Sequence, residues 1–317
     1  MEPVVTRFRA YQLGCAGSSF SYFAGGHFTL IEARLNDRNK ISLFAEMARC
    51  DVERIDCLHI TSWDDDHCAS SELLVLLRTL RPLRIECPGY EPSTDSGKAC
   101  RKMICEYRDD ARSSNRPITV EFITPQYIGG LQHAERLAFR NVFYHPQSID
   151  GESSNNNSTV KFFRQGSFNV LSLGDVESDN ISAYLRRQKF LCLEVDVMIL
   201  AHHGADNGFT NKKLLERIEP RLAICSSNYD NQYDHPTDEI RELLHEQRIR
   251  LMTTKTGDVI VKSIGNHTGE FQAINLKADS TEISSSEKYF AKKARLLSFN
   301  DDTIRQLYTP KPSYRFI

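Results

Sequence analysis

The sequence predicts an α/β fold in which sheets are covered by helices. Short apolar runs of strand length alternate with stretches of helical spacing along most of the chain. Four of those runs end in Asp or His, and layered α/β folds gather their sites at strand ends. The 317-residue length suits one large domain or one domain with a small appendage, and 40% hydrophobic residues can bury a sizeable core.

The elements follow in order. Phe8–Leu13 alternates and breaks at Gly14-Cys-Ala-Gly17, and Ser21–Ala24 with Phe28–Ile31 reads as a hairpin about Gly25-Gly26. Ile41, Phe44, Ala45 and Ala48 give Lys40–Cys50 helical spacing, and Ile55–Thr61 is a short strand. Ser70-Ser-Glu72 reads as the cap of an apolar helix that stops at Pro82. A strand at Arg84–Cys87, a helix around Gly97–Asp109, strands at Val120–Thr124 and Arg140–Tyr144, and a polar loop over Asp150–Ser158 come next. Strands at Thr159–Phe163 and Phe168–Leu173 lead to a helix near Ser178–Gln188 and a strand at Val195–Ala201. A helix at Lys212–Ile218, a strand at Leu222–Ser226 and a helix at Asp238–Glu246 continue the alternation, and Arg250–Thr254 with Val259–Ser263 reads as a hairpin. Residues 1–268 form the expected main domain, and 269–317 a linker and C-terminal extension. Ser280–Ser286 is low in complexity, and residues 288–317 carry seven Lys or Arg against two Asp, which reads as a solvated extension or, in the sharper alternative, as a basic arm touching a phosphate backbone or a partner.

Composition narrows the function classes. A net charge of -2 gives no global nucleic-acid footprint. The nine Cys are scattered without a CxxC pair, which reads as reduced, buried thiols rather than a zinc ribbon. The first residues lack an apolar signal core, and no run approaches the ~20 apolar residues of a membrane helix. The expectation is a soluble, cytoplasmic protein with no membrane role.

Asp64, Asp65 and Asp66 stand between a strand and a helix N-terminus, followed at once by His67. Adjacent carboxylates raise one another's pKa and cost stability. A helix cap explains one of them; a bound cation explains three and the histidine. Leu171-Ser-Leu-Gly-Asp175, Met198-Ile-Leu-Ala-His202-His203-Gly204 and Tyr233-Asp-His235-Pro236 supply the other strand-end donors, and together the four ends point to metal binding.

Six segments in order resemble the metallo-β-lactamase superfamily, and within it the hydrolase domain of the ComEC competence channels. They are AYQLGCAGSSFSYFAGGHFTLIEA, ITSWDDDH, Tyr144-His-Pro146 with Asn155-Asn-Asn-Ser158 and LSLGD, ILAHHG, Ser226–Pro236, and TTKTGDVIVKS, running from about Arg9 to Ser263. The resemblance implies an αββα sandwich and hydrolysis of phosphodiester bonds in nucleic acid. It implies Asp64, Asp66, His67, Asp175 and His202 as metal ligands, with His203 as an alternate. It places Ser62 and Asn157, like His203, as supporting or alternate ligands: Ser62 and Asp64 stand where the ligand loop of the superfamily has its first two histidines, the third would fall in the Asn155–Ser158 region and is absent, and Ile31-Glu32-Ala33-Arg34 stands where the family has a bracing Ile-Asp-Ala-Gly. The implied cofactor is one well-held divalent ion, Mn²⁺ or Zn²⁺ with Mg²⁺ also suited, and a weak or empty second position. Asp66 would orient the attacking water, His235 would donate to a phosphate oxygen, and Trp63 would either stack on a base or pack its loop. The rival readings are a hydrolase of a non-nucleic substrate and a pseudo-enzyme that keeps the fold as a binding or signalling module.

Overall fold

The computed structural model describes residues 5–114, 118–131, 140–265 and 269–294. Nine strands form one sheet, in the order β15 (Ile283–Phe290), β14 (Glu270–Leu276), β13 (Val259–Ser263), β1 (Thr6–Ala10), β2 (Phe20–Ala24), β3 (His27–Ile31), β4 (Cys57–His59), β5 (Arg84–Pro88), β6 (Thr119–Ile123). Six form the other: β12 (Arg250–Thr253), β11 (Leu222–Cys225), β10 (Val197–Ile199), β9 (Val170–Ser172), β8 (Val160–Phe163), β7 (Val142–His145). In the first sheet, β3 through β6 run parallel, and in the second β9 through β12 do.

Three apolar layers explain the stacking. Helices α1 (Asp37–Arg49), α2 (Ser70–Thr79) and α3 (Asp95–Ser113) bury Leu43, Leu73, Leu76 and Ile104 against Leu30, Leu58 and Ile85 of the first sheet. Phe8, Phe20 and Val261 of that sheet meet Phe163, Val170, Val197 and Leu222 of the second. On the far side, α5 (Asp179–Leu185), α6 (Lys189–Glu194), α7 (Lys212–Ile218) and α8 (Asp238–Glu246) cover Leu171, Met198 and Ala223. The short α4 (Pro125–Gly130) lies between β6 and β7 in the chain. In β10, Val197 and Ile199 face the other sheet while Met198 faces the helices, the two-residue period of a strand buried on both faces. The layer order is α, β, β, α.

Several local expectations need correction. Arg250–Thr254 and Val259–Ser263 do not pair: β12 lies parallel to β11, and β13 pairs with β1 in the other sheet. Gly257, at φ 138, carries the crossing, and a Cβ there would lie 2.4 Å from the Leu276 carbonyl. The expected linker is strand instead. β14 extends the first sheet, and the Ser-rich residues from Ile283 pair along it, because backbone hydrogen bonds make an edge strand without an apolar face. The rest of the basic arm, 295–317, lies outside the described residues. Ser70 caps nothing: the N-cap of α2 is Ala69, and Glu72 turns to Arg34 and the Leu35 N–H. The nine cysteines are free thiols. No helix among the described residues is long and apolar enough to cross a membrane.

One polar group interrupts the layer between the sheets. Lys161 of β8 reaches the Glu86 carboxylate of β5, with its ammonium over the Phe143 and Phe163 rings and His59 beside them. Burial works against the Glu86 charge, yet Lys161 and His59 hold its pKa well below the ordinary carboxylate value. Removing one partner of such a pair strands a buried charge. Lys161→Met is expected to cost about 3–5 kcal/mol in urea unfolding, and Lys161→Met with Glu86→Met to recover most of it. An equal loss in the double variant would mean that packing, not charge, sets the cost.

Candidate metal centre

Asp66, His67, Asp175 and His203 bring one donor atom each to within 4.8 Å of one another. All four follow strands at the same end of the two sheets. Asp66 and His67 lie in the loop between β4 and α2, Asp175 follows β9, and His203 follows β10. The loops are bonded to each other: Ser18 N–H donates to the Asp66 carbonyl, Ala33 N–H to that of His67, and His202 N–H to that of Gly174. Gly17, at φ 127, is needed for this closeness, since a Cβ there would lie 2.5 Å from the Asp66 carbonyl oxygen.

Both imidazoles have an assigned orientation. The Ser226 carbonyl only accepts, so the 2.9 Å contact to His203 Nδ1 places a hydrogen on that nitrogen. Its Nε2 then faces Asp66 Oδ2 at 3.1 Å. His67 Nδ1 lies 3.2 Å from the Glu32 carboxylate, and its Nε2 is buried with no hydrogen-bond partner, although Asp175 Oδ2 stands 2.8 Å away. A ring fixed through Nδ1, with Nε2 turned to carboxylates, is the arrangement that metal-binding histidines use. Burial disfavours a charged His67, but Asp175, Asp66 and Glu32 outweigh it and raise its pKa. For His203, burial is likewise overcome, chiefly by the Asp66 hydrogen bond. Asp66 and Asp175 are each opposed by burial and lowered mainly by His67. A field that favours a proton between these groups favours a cation there, and the donor set fits a divalent ion.

The expected residues divide accordingly. Asp66, His67 and Asp175 come together, with His203 in the position expected for His202. His202 and His203 both have left-handed backbone, at φ 46 and 53, and this turn points His203 inward and leaves His202 Nδ1 3.3 Å from Glu177. Asp64 is outside the group, accepting hydrogen bonds from Ser62 and Ser154. Ser62 thereby supports Asp64 and touches the Tyr90 hydroxyl. Asn157 braces its own loop, bonding the Asp150 backbone through both side-chain ends. Trp63 cannot meet a base: it is 1% exposed, and its indole N–H donates to the Tyr90 carbonyl. His235 stands beside the group, its ring 6.5 Å from that of His203 and nearly parallel. Burial, then His203 and His202, push its pKa down to about 4.

Glu32 is the residue that the sequence reading undervalued. Its carboxylate accepts from Thr61 N–H at 3.0 Å and Thr61 Oγ1 at 2.6 Å while holding His67. The signal was its place beside β3 in the segment Ile31-Glu32-Ala33-Arg34, where a longer carboxylate still reaches the ring. Glu32→Gln is expected to weaken Mn²⁺ or Zn²⁺ binding about 10–100-fold by calorimetry, because His67 Nδ1, which also meets Thr61 Oγ1 at 3.2 Å, loses the carboxylate that orients it. Unchanged affinity would show that the ring is held without Glu32.

No protein-family model matches the chain. It is 24% identical over 225 residues to ComE operon protein 3 of Bacillus subtilis (strain 168), covering 69% of this chain and 26% of that protein. Over 146 residues it is 25% identical to competence protein ComA of Neisseria gonorrhoeae, covering 44% of this chain and 21% of that protein. The chain thus spans about a quarter or less of the length of these relatives. Among solved structures, the metallo-beta-lactamase fold protein YhfI from Bacillus subtilis superposes with a TM-score of 0.46 at 12% identity, covering 81% of this chain and 100% of that one. In sequence the chain resembles the ComEC-type competence proteins, and its four layers and strand-end donor group are those expected from a resemblance to the metallo-β-lactamase fold.

Proposed function

We propose that the chain is a metal-dependent hydrolase of phosphodiester bonds in nucleic acid or nucleotides. The observation that carries this reading is the convergence of Asp66, Asp175, His67 and His203, with both rings oriented through Nδ1. Two carboxylates with two imidazoles suit Mn²⁺ or Zn²⁺, and Mg²⁺ to a lesser degree. The resemblance to the ComEC-type hydrolase domain, which implies hydrolysis of nucleic acid, supports that substrate class, and one relative is named competence protein ComA.

A divalent ion bound there supplies a Lewis acid for phosphoryl oxygens and lowers the pKa of a coordinated water. The protein's own groups do the positioning. Glu32 and the Ser226 carbonyl fix the rings. Asp66 is the more open carboxylate, its side chain 32% exposed against 6% for Asp175, so it is the one that would orient a water at a bound ion. His235, on the open side beside His202 and His203, is placed to donate a hydrogen bond to a phosphate oxygen. Asp64 is engaged by Ser62 and Ser154, which favours one ion over two.

Stripped and reloaded protein is expected to bind about one equivalent of Mn²⁺ or Zn²⁺ and to cleave single-stranded DNA or RNA. Asp66→Ala and His67→Ala should reduce cleavage to background with an unchanged far-ultraviolet circular dichroism spectrum. Metal uptake without cleavage of DNA, RNA or a chromogenic phosphodiester would sink the phosphodiesterase reading. No uptake at all would sink the metal centre.

A further inference from the structure

Three rings lead from the metal centre into solvent. His203 lies at the centre, His235 lies nearly parallel to it at an interplanar angle of 8°, and Tyr233 stacks on His235 at 5.5 Å and 23°. Tyr233 is 66% exposed, so the row ends on an aromatic ring open to solvent. An exposed tyrosine gains little by itself; what matters is how firmly this one is held.

The loop that carries it is pinned from within and from below. Asn231 accepts from the His235 N–H at 2.6 Å and donates to the carbonyls of His235 and Asn228. Asp234, in left-handed backbone at φ 49, lies 3.5 Å from both Lys255 and Arg241. Thr237 N–H donates to the Gly204 carbonyl, and a Cβ on Gly204 would lie 2.7 Å from Pro236. The turn that aims His203 and the loop that presents Tyr233 are therefore packed as one unit. A rigid ring loses little freedom on contact, which is what a recognition platform requires.

We propose that Tyr233 is the stacking platform for a nucleobase of the substrate, placing the nucleotide beside the metal centre. Every base has a face to offer, so such a platform binds without reading sequence. The substrate assignment rests on the phosphodiesterase reading; the stacking contact itself is testable without turnover.

Tyr233→Ala is expected to raise KM for a short single-stranded oligonucleotide about 5- to 150-fold with kcat little changed, the worth of one base stack. Tyr233→Phe should behave as wild type, and so should Tyr229→Ala, which removes an equally exposed tyrosine outside the ring row. An oligonucleotide with abasic sites throughout should not distinguish the variants. In a second measurement, a 2-aminopurine oligonucleotide is titrated into metal-free protein. Quenching in wild type and Tyr233→Phe but not in Tyr233→Ala supports the platform even if no cleavage is ever seen, in which case only the hydrolase reading fails. Equal quenching in Tyr233→Ala, no quenching in wild type, or equal KM loss on abasic substrate overturns the proposal.

Discussion

The Asp66 and Asp175 carboxylates share a largely buried site with two imidazoles, and holding those charges together is costly unless every one is answered. The answer is built in rings of decreasing specificity. Each carboxylate faces an Nε2, each imidazole is held from behind by Glu32 or the Ser226 carbonyl, and Glu32 is itself held by Thr61. Beyond these, hydrogen bonds from Ser18, Ala33, His202 and the Ser226 hydroxyl tie the loops to one another rather than each to its own strand. The site is one object assembled from both sheets.

That assembly accounts for three of the left-handed residues. Glu32, His202 and His203 all occupy left-handed conformations without being glycine, at a cost of about 1–3 kcal/mol each. Each sits where the chain has left a strand and turns sharply, which brings Glu32 and His203 to the site and leaves His202 beside Glu177. The same turn that aims His203 at Asp66 sends His202 toward Glu177 and Asn207, on the wall next to His235. Adjacent histidines thus end up with separate neighbourhoods.

Much of this was legible before the fold was known. Apolar runs located strands such as β10 and β11, which are buried on both faces, and helical spacing located helices such as α1. The Asp-Asp-Asp-His and Gly-Asp segments betrayed themselves by carrying charge where a strand ends. The choice between His202 and His203 was not legible, because it depends on two φ angles that neighbouring residues do not dictate. β15 escaped notice because an edge strand with Ser, Glu and Lys on both faces carries no hydrophobic period. Of the two roles open to Trp63, the packing one holds: its indole fills the space under the ligand loop. The separation of β12 from β13 was hidden because a tight Gly-containing turn looks the same whether the chain doubles back or changes sheet.

The Lys161–Glu86 contact acts as a locating key between the two halves of the sandwich. In β8, Phe162 points to the helices while Lys161 and Phe163 point to the opposite sheet. Sliding β8 by one residue would exchange these faces, forcing an ammonium among the aliphatic side chains beneath the helices and leaving Glu86 with only the more exposed Arg84 as a cationic partner besides His59. Lys161 is paired in register with Ser172, three residues before Asp175. A lysine far from the chemistry therefore indexes the strand that delivers one of the ligands, so that misalignment anywhere along β8 would be penalised before it could blur the geometry at the strand ends.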